Sequence, residues 1–374
     1  RQAPEVAAPE VTAAFVPPAR VKRNNISIDL NEATAHAANP TITKARYHGD
    51  GRRTLKDDYD VQETVLGSGW NGAVVLALGR LDKRRYAIKR IGKRALKRDK
   101  LLLLKQEAEI YLALDHPNIA KLHDVYESDE DLALVMECCT GGELFDRLEE
   151  RVQFTEFEAA ETTRQMLHAV GYLHAHNVVH RDLKLENFLL ESKEKDADLK
   201  LIDFGFSKIW DPGMPLMRAC CGSIAYVSPD VLAQNGYTSK CDLWSIGVIV
   251  FMLLTGYAPF HGDDNSMRKQ IKAADVHWRS EIELSKDAEE FVRSLLTVNP
   301  KFRLDAKKAL AHPWLQRTAV EFKSPKFGPK TVKSLRNYAQ SSRVRRAVLQ
   351  LLAQELLPEE TKELRDTFLK LDKE

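Results

Sequence analysis

Hydrophobic and polar positions divide the 374-residue chain into two differently patterned stretches between two flanking segments. From residue 59 to about residue 134 the pattern is strand-like, with one helical pattern between Asp99 and Asp115. From residue 143 to residue 315 the pattern is mainly helical. The longest apolar run, residues 246–254, is too short to span a bilayer and predicts a buried helix. The pattern therefore predicts an α+β protein, with a small sheet-containing part before a larger helical part.

The first flanking segment, residues 1–57, is rich in Ala, Pro, Asn and charged residues and shows no sustained hydrophobic period. This composition predicts a disordered or loosely attached extension. A remnant of an organelle-targeting peptide is an open alternative, although Glu5 and Glu10 argue against it, because such peptides are poor in acidic residues.

The second flanking segment begins with residues 316–356, which contain an amphipathic pattern. Val344, Val348, Leu351 and Leu352 have the spacing i, i+4, i+7, i+8, which places them on one face of a helix. The basic residues around this face are Lys333, Arg336, Arg343, Arg345 and Arg346. A basic amphipathic helix can bind a calmodulin-like groove or a membrane surface, or it can simply pack on the large helical part.

Composition narrows the class of protein. Hydrophobic residues make up 44% of the chain and the formal net charge is +2, so no global field favours nucleic acid or membranes. The five cysteines show no C-x-x-C spacing, which indicates reduced thiols. We therefore expect an intracellular, cytoplasmic protein without a transmembrane segment, and organelle targeting through the N-terminal extension stays open.

The strongest chemical signal is residues 180–187, His-Arg-Asp-Leu-Lys-Leu-Glu-Asn. This stretch places the Asp182 carboxylate, the Lys184 ammonium and the Asn187 carboxamide on one short loop. Asp203 follows 16 residues after that loop, in Asp-Phe-Gly. Phosphoryl transfer needs a carboxylate that orients a hydroxyl, a cation near the moving phosphate and oxygen ligands for Mg²⁺. These four side chains have the chemistry for those tasks.

Upstream patterns extend this signal. Residues 66–74 read Leu-Gly-Ser-Gly-Trp-Asn-Gly-Ala-Val, and glycines at this spacing let backbone N–H groups approach phosphates. Taken alone, that pattern fits a plain hairpin turn better. Residues 86–89 form an apolar, strand-like run that ends in Lys89, and a helical stretch containing Glu107 follows. The order is glycine loop, strand lysine, helix glutamate, catalytic loop and Asp-Phe-Gly.

These motifs in this order are the signature of eukaryotic protein kinases, and residues 59 to about 315 resemble that family. The resemblance implies a bilobal fold. Its small lobe, residues 58–138, would have an antiparallel sheet and one major helix, and its large lobe, residues 139–315, would be mainly helical. ATP would bind in the cleft between the lobes. Lys184, two residues after Asp182, is typical of serine/threonine kinases.

Two further stretches have narrower resemblances. Residues 135–146 resemble the hinge of the calcium/calmodulin-dependent group, and residues 332–374 resemble the junction of calcium-dependent protein kinases. In those kinases the segment matching 316–356 blocks the substrate cleft until calcium binds the EF-hands that follow. Residues 357–374 resemble the start of a first EF-hand, truncated before most of its ligands. Ca²⁺ is therefore expected to act only through EF-hands missing from this sequence, with a calmodulin-like domain, in cis or in trans, as a partner.

The resemblance implies a role for each matching catalytic position. Asp182 would orient the substrate hydroxyl and accept its proton, beside Lys184. Lys89 would bridge the α- and β-phosphates of ATP and pair with Glu107. Glu109 is the alternative partner for that lysine.

Metal, nucleotide and substrate sites follow from the same resemblance. Mg²⁺ would bind Asn187 and Asp203. The nucleotide would contact Gly67, Gly69, Gly72, Val74, Ala87, Lys89, Met136, Glu137, Cys139, Glu143 and Leu189. Glu143 would also meet an arginine of the substrate, with Glu186 as a second acidic contact. This implies protein substrates with basic residues near the target Ser/Thr, and a solvated acidic rim is the alternative.

Side chains that align the two lobes in active kinases also have counterparts here. Leu122, Tyr111, Phe204 and His180 match a stack of side chains that joins the lobes. Asp242 is expected to accept hydrogen bonds from the backbone of the catalytic loop.

Two features depart from the family pattern. Residues 228–230, Ser-Pro-Asp, replace Ala-Pro-Glu, and the shorter carboxylate is expected to keep a buried pair with Arg303 in adjusted geometry. Residues 206–221 contain one hydroxyl, that of Ser207, which lies too close to the Asp-Phe-Gly motif to serve as the phosphorylation site that Arg181 usually meets. Activation by another route is therefore predicted.

A kinase-fold scaffold without catalysis and a nucleic-acid-binding module are the alternative functions. Loss of Lys89, Asp182 or Asp203 would favour the scaffold, but all three are present. The nucleic-acid module would depend on basic residues at 93–94 and 97–98 and in the tail. No aromatic residues are interleaved with them, so a solvated face is preferred and no nucleic-acid partner is expected.

Overall fold

The computed structural model of the protein describes residues 27–35, 37, 40–69, 72–194, 196–280 and 282–316. Within them the chain forms a small lobe built on one sheet and a larger lobe built from helices, so the predicted α+β, bilobal architecture is confirmed. Predictions for residues 1–26 and for the tail, residues 317–374, lie outside the described residues.

The small lobe is organised by a six-stranded sheet. Its strands are β1 Tyr47–His48, β2 Tyr59–Gly69, β3 Gly72–Gly79, β4 Arg85–Gly92, β5 Leu122–Glu127 and β6 Asp131–Glu137. They lie in the order β1-β5-β6-β4-β3-β2, with β1 parallel to β5 and the other neighbours antiparallel. Tyr59, Ile88 and Val135 belong to a buried apolar cluster on this sheet, which joins three of its strands.

The N-terminal elements differ from the loosely attached extension expected for residues 1–57. They comprise α1 Leu30–Ala35, α2 Pro40–Ala45, strand β1 and α3 Leu55–Asp58. Ile28 and Ala33 belong to the main hydrophobic core, and Thr43 and Arg46 are buried. These elements are too short to show a hydrophobic period, and long-range contacts rather than local pattern hold them in place.

One long helix, α4 Arg98–Ala113, packs against the sheet and lies within two residues of the helix expected over 99–115. Leu101, Leu104, Ala108 and Leu112 are buried and recur at spacings of three and four, which gives the helix one apolar face. Every residue from 107 to 113 is buried as well, so the second half of the helix is packed on all sides.

The large lobe is mainly helical, as predicted. Its helices are α5 Leu144–Arg151, α6 Glu156–Ala175, α7 Pro229–Ala233, α8 Lys240–Thr255, α9 Asp264–Ala273, α10 Lys286–Leu295 and α11 Ala306–Leu310. Its short strands are β7 Val178–Val179, β8 Phe188–Leu190, β9 Leu199–Leu201 and β10 Lys208–Ile209. Strand β7 pairs with β10, and β8 pairs with β9. Short 3₁₀ helices cover Lys93–Ala95, Leu185–Asn187 and Ile224–Tyr226.

Helix α8 forms the centre of the large lobe. It contains the apolar run 246–254, and the expectation that this run is a buried helix is confirmed. Helix α6 packs beside it and begins at a capping box, in which Thr155 and Glu158 each accept a hydrogen bond from the other's backbone N–H. None of the described helices combines the length and apolarity needed to cross a membrane.

Candidate active site

The strand lysine and the helix glutamate form a buried ion pair. Lys89 lies on β4 and Glu107 on α4, and Lys89 Nζ is 2.6 Å from Glu107 Oε1. Burial lowers the pKa of Lys89, but the Glu107 and Asp203 carboxylates outweigh this effect, so its pKa is raised and the ammonium persists. The structure therefore pairs Lys89 with Glu107 rather than with Glu109.

The catalytic loop is anchored by Asp242 of α8. The backbone N–H groups of His180 and Arg181 donate to its two carboxylate oxygens, at 3.0 and 2.9 Å. His174 Nε2 lies 2.8 Å from the oxygen that His180 contacts. Burial raises the pKa of Asp242, but the hydrogen bond to His174 and the nearby charges outweigh it, so the pKa lies below its ordinary value. The prediction that Asp242 accepts bonds from the loop backbone is confirmed.

Three neighbours hold the Asp182 side chain and its backbone. The Ser223 N–H and hydroxyl donate to Asp182 Oδ1 at 3.0 and 3.3 Å. Lys184 Nζ is 3.4 Å from Asp182 Oδ2. The Asn187 side-chain amide donates to the Asp182 carbonyl at 2.8 Å. The carboxylate is therefore fixed in direction by groups on two separate loops.

Asp203 lies on a tight turn that is tied to the catalytic loop. Its φ is +63°, and the Gly205 N–H donates to Asp203 Oδ1 at 3.1 Å. The Ile202 N–H donates to the Asn187 carbonyl at 2.9 Å, which joins the two loops just before the turn. A non-glycine residue in the left-handed region stores strain that surrounding contacts must offset, and such positions are common at functional sites.

Asn187 and Asp203 have a donor set that fits Mg²⁺. Because the Asn187 amide nitrogen is committed to the Asp182 carbonyl, the amide oxygen is the atom that remains to act as a ligand. Mg²⁺ is usually bound through one or two carboxylates together with substrate phosphates and water. The two loops therefore offer the kind of oxygen ligands that a nucleotide-bound Mg²⁺ requires.

Aromatic contacts join α4 to the catalytic loop. The Tyr111 and Phe204 ring centroids are 4.8 Å apart, and those of Phe204 and His180 are 5.4 Å apart. The Tyr111 hydroxyl donates to the Ala120 carbonyl at 2.6 Å, so the polar end of this bulky side chain has a partner while its ring packs on Phe204. Leu122 is fully buried in the same core. The alignment side chains predicted from the sequence thus lie in the core that spans both lobes.

Strand pairing brings the predicted nucleotide-binding residues of the small lobe onto adjacent strands. The cross-strand pairs are Gly67–Val74, Gly69–Gly72, Val74–Lys89 and Ala87–Met136. Gly72 has φ of +128°, and a Cβ there would lie 3.1 Å from the Arg90 carbonyl oxygen, so any other residue would be strained at this position. Glu143 and Leu189 form a β-bridge on the large-lobe side of the cleft.

An ion pair that the sequence reasoning missed supports the hinge. Lys200 of β9 places Nζ 2.7 Å from Glu137 Oε1, and both side chains are largely buried. The Lys121 N–H donates to Glu137 Oε2 at 2.9 Å. Burial lowers the pKa of Lys200, but Glu137 and Glu191 outweigh it, so its pKa is raised. A lysine inside the apolar run Leu-Lys-Leu, where charges are rarely buried unless paired, is the sequence signal for such a contact.

An acidic cluster borders the cleft on the large lobe. Burial raises the pKa of Glu143, and the carboxylates of Asp146 and Glu186 raise it further. Glu186 Oε2 is buried and has no hydrogen-bond partner among the described residues. A buried acceptor without a partner is costly, so this cluster favours the approach of a cationic side chain.

Arg303 and Asp230 form the pair expected at the first departure from the family pattern. Arg303 Nη2 is 2.7 Å from Asp230 Oδ1, and Asp230 Oδ2 has no partner among the described residues. Arg303 also donates to the carbonyls of Thr297, Lys240 and Val298. The prediction that the buried pair survives is confirmed, and the Asp230 carboxylate engages the guanidinium through one oxygen only.

Arg181 donates to one group of the loop after Asp-Phe-Gly and to one group beyond that loop. Its Nε donates to the Phe206 carbonyl at 2.7 Å, and its Nη1 donates to the Tyr237 hydroxyl at 3.3 Å. Ser207 is buried. The Arg181 guanidinium thus binds a backbone carbonyl and a tyrosine hydroxyl, and the absence of conventional loop phosphorylation stays a prediction.

Comparisons with known proteins extend over the same residues. The family model described as a protein kinase domain matches residues 60–315. The chain is 43% identical to myosin light chain kinase A of Dictyostelium discoideum over 264 residues, which cover 69% of this chain and 88% of that protein. It is 41% identical to calcium/calmodulin-dependent protein kinase type 1 of Macrobrachium nipponense, covering 72% of this chain and 79% of that protein. It is 33% identical to calcium-dependent protein kinase 3 of Plasmodium berghei over 86% of this chain, but spans only 58% of that protein.

Proposed function

The chain belongs to the protein kinase family and is a protein serine/threonine kinase, and we propose which task each residue of its active site performs when the γ-phosphate of ATP is transferred. The observation that best supports these roles is that the Lys89 ammonium and the Asp182 carboxylate, each held in place by its neighbours, both face the cleft. Lys89 is held by Glu107, and Asp182 is held by Ser223 and Lys184. Preorganised charges of this kind supply most of the catalysis in phosphoryl transfer.

Asp182 orients the hydroxyl of the substrate and accepts its proton. The hydroxyl oxygen bonds to the γ-phosphorus as the bond to the bridging oxygen breaks, and ADP leaves with that electron pair. Lys184, 3.4 Å from Asp182, is placed to offset the negative charge of the transferring group. Ser223 keeps the carboxylate aimed while the proton moves.

Lys89 positions the α- and β-phosphates, and Glu107 keeps its ammonium in place. Asn187 and Asp203 hold Mg²⁺, which, when bound, neutralises the phosphate oxygens. The adenine lies against Ala87, Val74, Leu189 and Met136 and meets the backbone of Glu137 and Cys139. The ion pair between Lys200 and Glu137 supports this assignment, because it holds the side chain of the hinge residue Glu137 in place.

Substitution of Asp182 by Ala tests the assignment. With a basic peptide and Mg-ATP, transfer should fall by about 10²- to 10⁴-fold, the usual contribution of a positioned base, while binding of a fluorescent ATP analogue persists. Asp264→Ala, which removes an exposed carboxylate in the first turn of α9, is the matched control and should leave the rate unchanged. Retained transfer in the Asp182 variant would disprove the role of this residue.

We propose that the substrates carry a basic residue near the target Ser/Thr, because Glu143, Asp146 and Glu186 form an acidic cluster with one unpartnered oxygen. Replacing the arginines of a peptide substrate one at a time should lower kcat/KM about tenfold at the preferred position, the effect of losing about 1.4 kcal/mol. In the Glu186→Gln variant the same replacement should cost less. Equal losses in both enzymes would exclude Glu186 from this recognition.

We also propose calcium-dependent control. The names of the relatives describe calcium/calmodulin-dependent and calcium-dependent kinases, and residues 316–356 carry a basic amphipathic pattern. Calmodulin added with Ca²⁺ should raise the rate of peptide phosphorylation, and calmodulin with a calcium chelator is the control. An unchanged rate together with no binding of calmodulin by the full chain would refute regulation in trans.

A further inference from the structure

The N-terminal segment, defined here as the described residues 27–35, 37 and 40–48, packs against the side of α4 and against the adjoining sheet. Ile28 and Ala33 belong to the same hydrophobic core as Leu104 and Ala108 of that helix. The segment ends in β1, which pairs in parallel with β5. It is therefore built into the small lobe.

Polar groups of the segment bind the second half of α4 and the residues that follow it. The Asp29 N–H donates to Glu109 Oε1 at 2.5 Å, Thr43 Oγ1 donates to the Leu112 carbonyl at 3.2 Å, and Arg46 donates to the Leu114 carbonyl and to Asp115, each at 3.3 Å. The last carbonyls of a helix have no partner within the helix. Buried Thr43 and Arg46 therefore satisfy carbonyls at the end of α4 that would otherwise be costly to bury.

This contact is opposite the catalytic side of the helix. Glu107 and Glu109 are two positions apart, which at 3.6 residues per turn separates their side chains by about 200°. Glu107 binds Lys89 in the cleft, whereas Glu109 binds the backbone of Asp29. Helix α4 is thus held between the strand lysine on one side and the N-terminal segment on the other.

Glu127 of β5 connects the segment to the sheet. Its Oε2 accepts from the Ile28 N–H at 3.0 Å and from the Tyr47 hydroxyl at 2.7 Å, and its other oxygen contacts the Lys93 ammonium. The Glu127 carboxylate is almost fully buried, and both of its oxygens have partners. The segment is therefore anchored to the sheet as well as to the helix, so that it can resist movement of one relative to the other.

We propose that the N-terminal segment is a clamp in cis that positions Glu107, through α4, for its contact with Lys89. Arg46 is its principal positioning residue. The proposal deepens the proposed function and rests on the role assigned there to the Lys89–Glu107 pair. It also offers a route to an ordered cleft other than loop phosphorylation, as expected from the single hydroxyl in residues 206–221.

A double-mutant cycle in the full chain tests the clamp. Arg46→Ala should lower kcat by about two- to thirtyfold, the range reported for coupled packed sites, with little change in the KM for peptide. In the Glu107→Gln background the same substitution should lower kcat further by less than about twofold, because a residue that acts through Glu107 has nothing left to position. Arg52→Ala, which removes an exposed arginine of the same extension, is the matched control and should leave kcat unchanged.

Each outcome of the cycle has a distinct meaning. An unchanged kcat for Arg46→Ala, or an equal fractional loss in both backgrounds, would overturn the clamp. A wild-type kcat for Glu107→Gln would instead refute the proposed role of the ion pair and remove the basis of the clamp with it. If Arg46→Ala unfolds, as judged from its melting curve, Thr43→Val replaces it, because that change deletes one hydroxyl and keeps the shape of the side chain. It should show the same non-additivity at a smaller size.

Discussion

Removal of the Asp230 carboxylate should destabilise the large lobe strongly. The Arg303 guanidinium is fully buried and lies 2.7 Å from Asp230 Oδ1. Breaking a buried pair by deleting one partner costs about 3–5 kcal/mol, because it leaves an uncompensated charge. The carbonyls of Thr297, Lys240 and Val298 still accept from Arg303, so we expect the lower end of that range for Asp230→Ala.

Thermal unfolding of the full chain measures this effect. For a domain of this size each kcal/mol shifts the Tm by about 2–4 °C, so about 3 kcal/mol corresponds to a decrease of about 6–12 °C. Asp230→Glu keeps the charge and should cost much less than Asp230→Ala. Glu289→Ala removes the exposed partner of Arg293 and serves as control, because a surface pair within a helix contributes only about 0.3–0.5 kcal/mol. A Tm for Asp230→Ala no lower than that of the control would refute the reasoning.

Three other outcomes are expected. Lys200→Met should raise the KM for ATP about fivefold, the effect of about 1 kcal/mol, because the hinge carboxylate of Glu137 loses its charged partner. The KM for peptide should stay unchanged, which would show that the effect is confined to the nucleotide site. Asp242→Asn should lower kcat about tenfold, since a carboxamide offers one acceptor oxygen where the carboxylate offers two, so that one of the two loop N–H groups loses its acceptor. Steady-state kinetics at saturating substrates would reveal any smaller loss. Burial raises the pKa of the Cys221 thiol, so iodoacetamide should modify exposed Cys220 faster throughout pH 7–9, and equal rates in peptide mapping would contradict this.

The catalytic side chains could be predicted from the sequence because their chemistry constrains both residue type and order. Asp182, Asp203 and Lys89 each belong to a short motif in which a neighbouring glycine, strand or loop residue is also constrained. Asp242 and Arg303 could be assigned partners because the resemblance supplies the long-range contacts that a single sequence does not contain. The structure adds the distances and shows that the Tyr111 hydroxyl has its own backbone acceptor, which explains how a bulky residue fits there.

The ion pair between Lys200 and Glu137 is different, because nothing local in either strand names the partner. The motif around Glu137 indicates a hinge, and the strand before Asp203 indicates a buried run. Only the fold brings Lys200 Nζ to within 2.7 Å of Glu137 Oε1. A buried charge in an apolar run predicts that some partner exists, but the identity of that partner is a property of the tertiary arrangement.

The N-terminal segment was missed for a related reason, which also explains what it does. Helices α1 and α2 have six residues each, fewer than two turns, so neither can show an amphipathic period. The anchoring groups of the segment are the Asp29 N–H, the Thr43 hydroxyl and the Arg46 guanidinium, all of which are groups common in disordered segments. The need for these groups becomes evident only from α4, the helix that they contact. The end of α4 must satisfy its last carbonyls, and Glu109 must have a donor if it is buried. A polar extension can therefore matter to a catalytic helix because the carbonyls at the end of the helix need donors, and here Thr43 and Arg46 supply them from 69 and 68 residues away in the sequence.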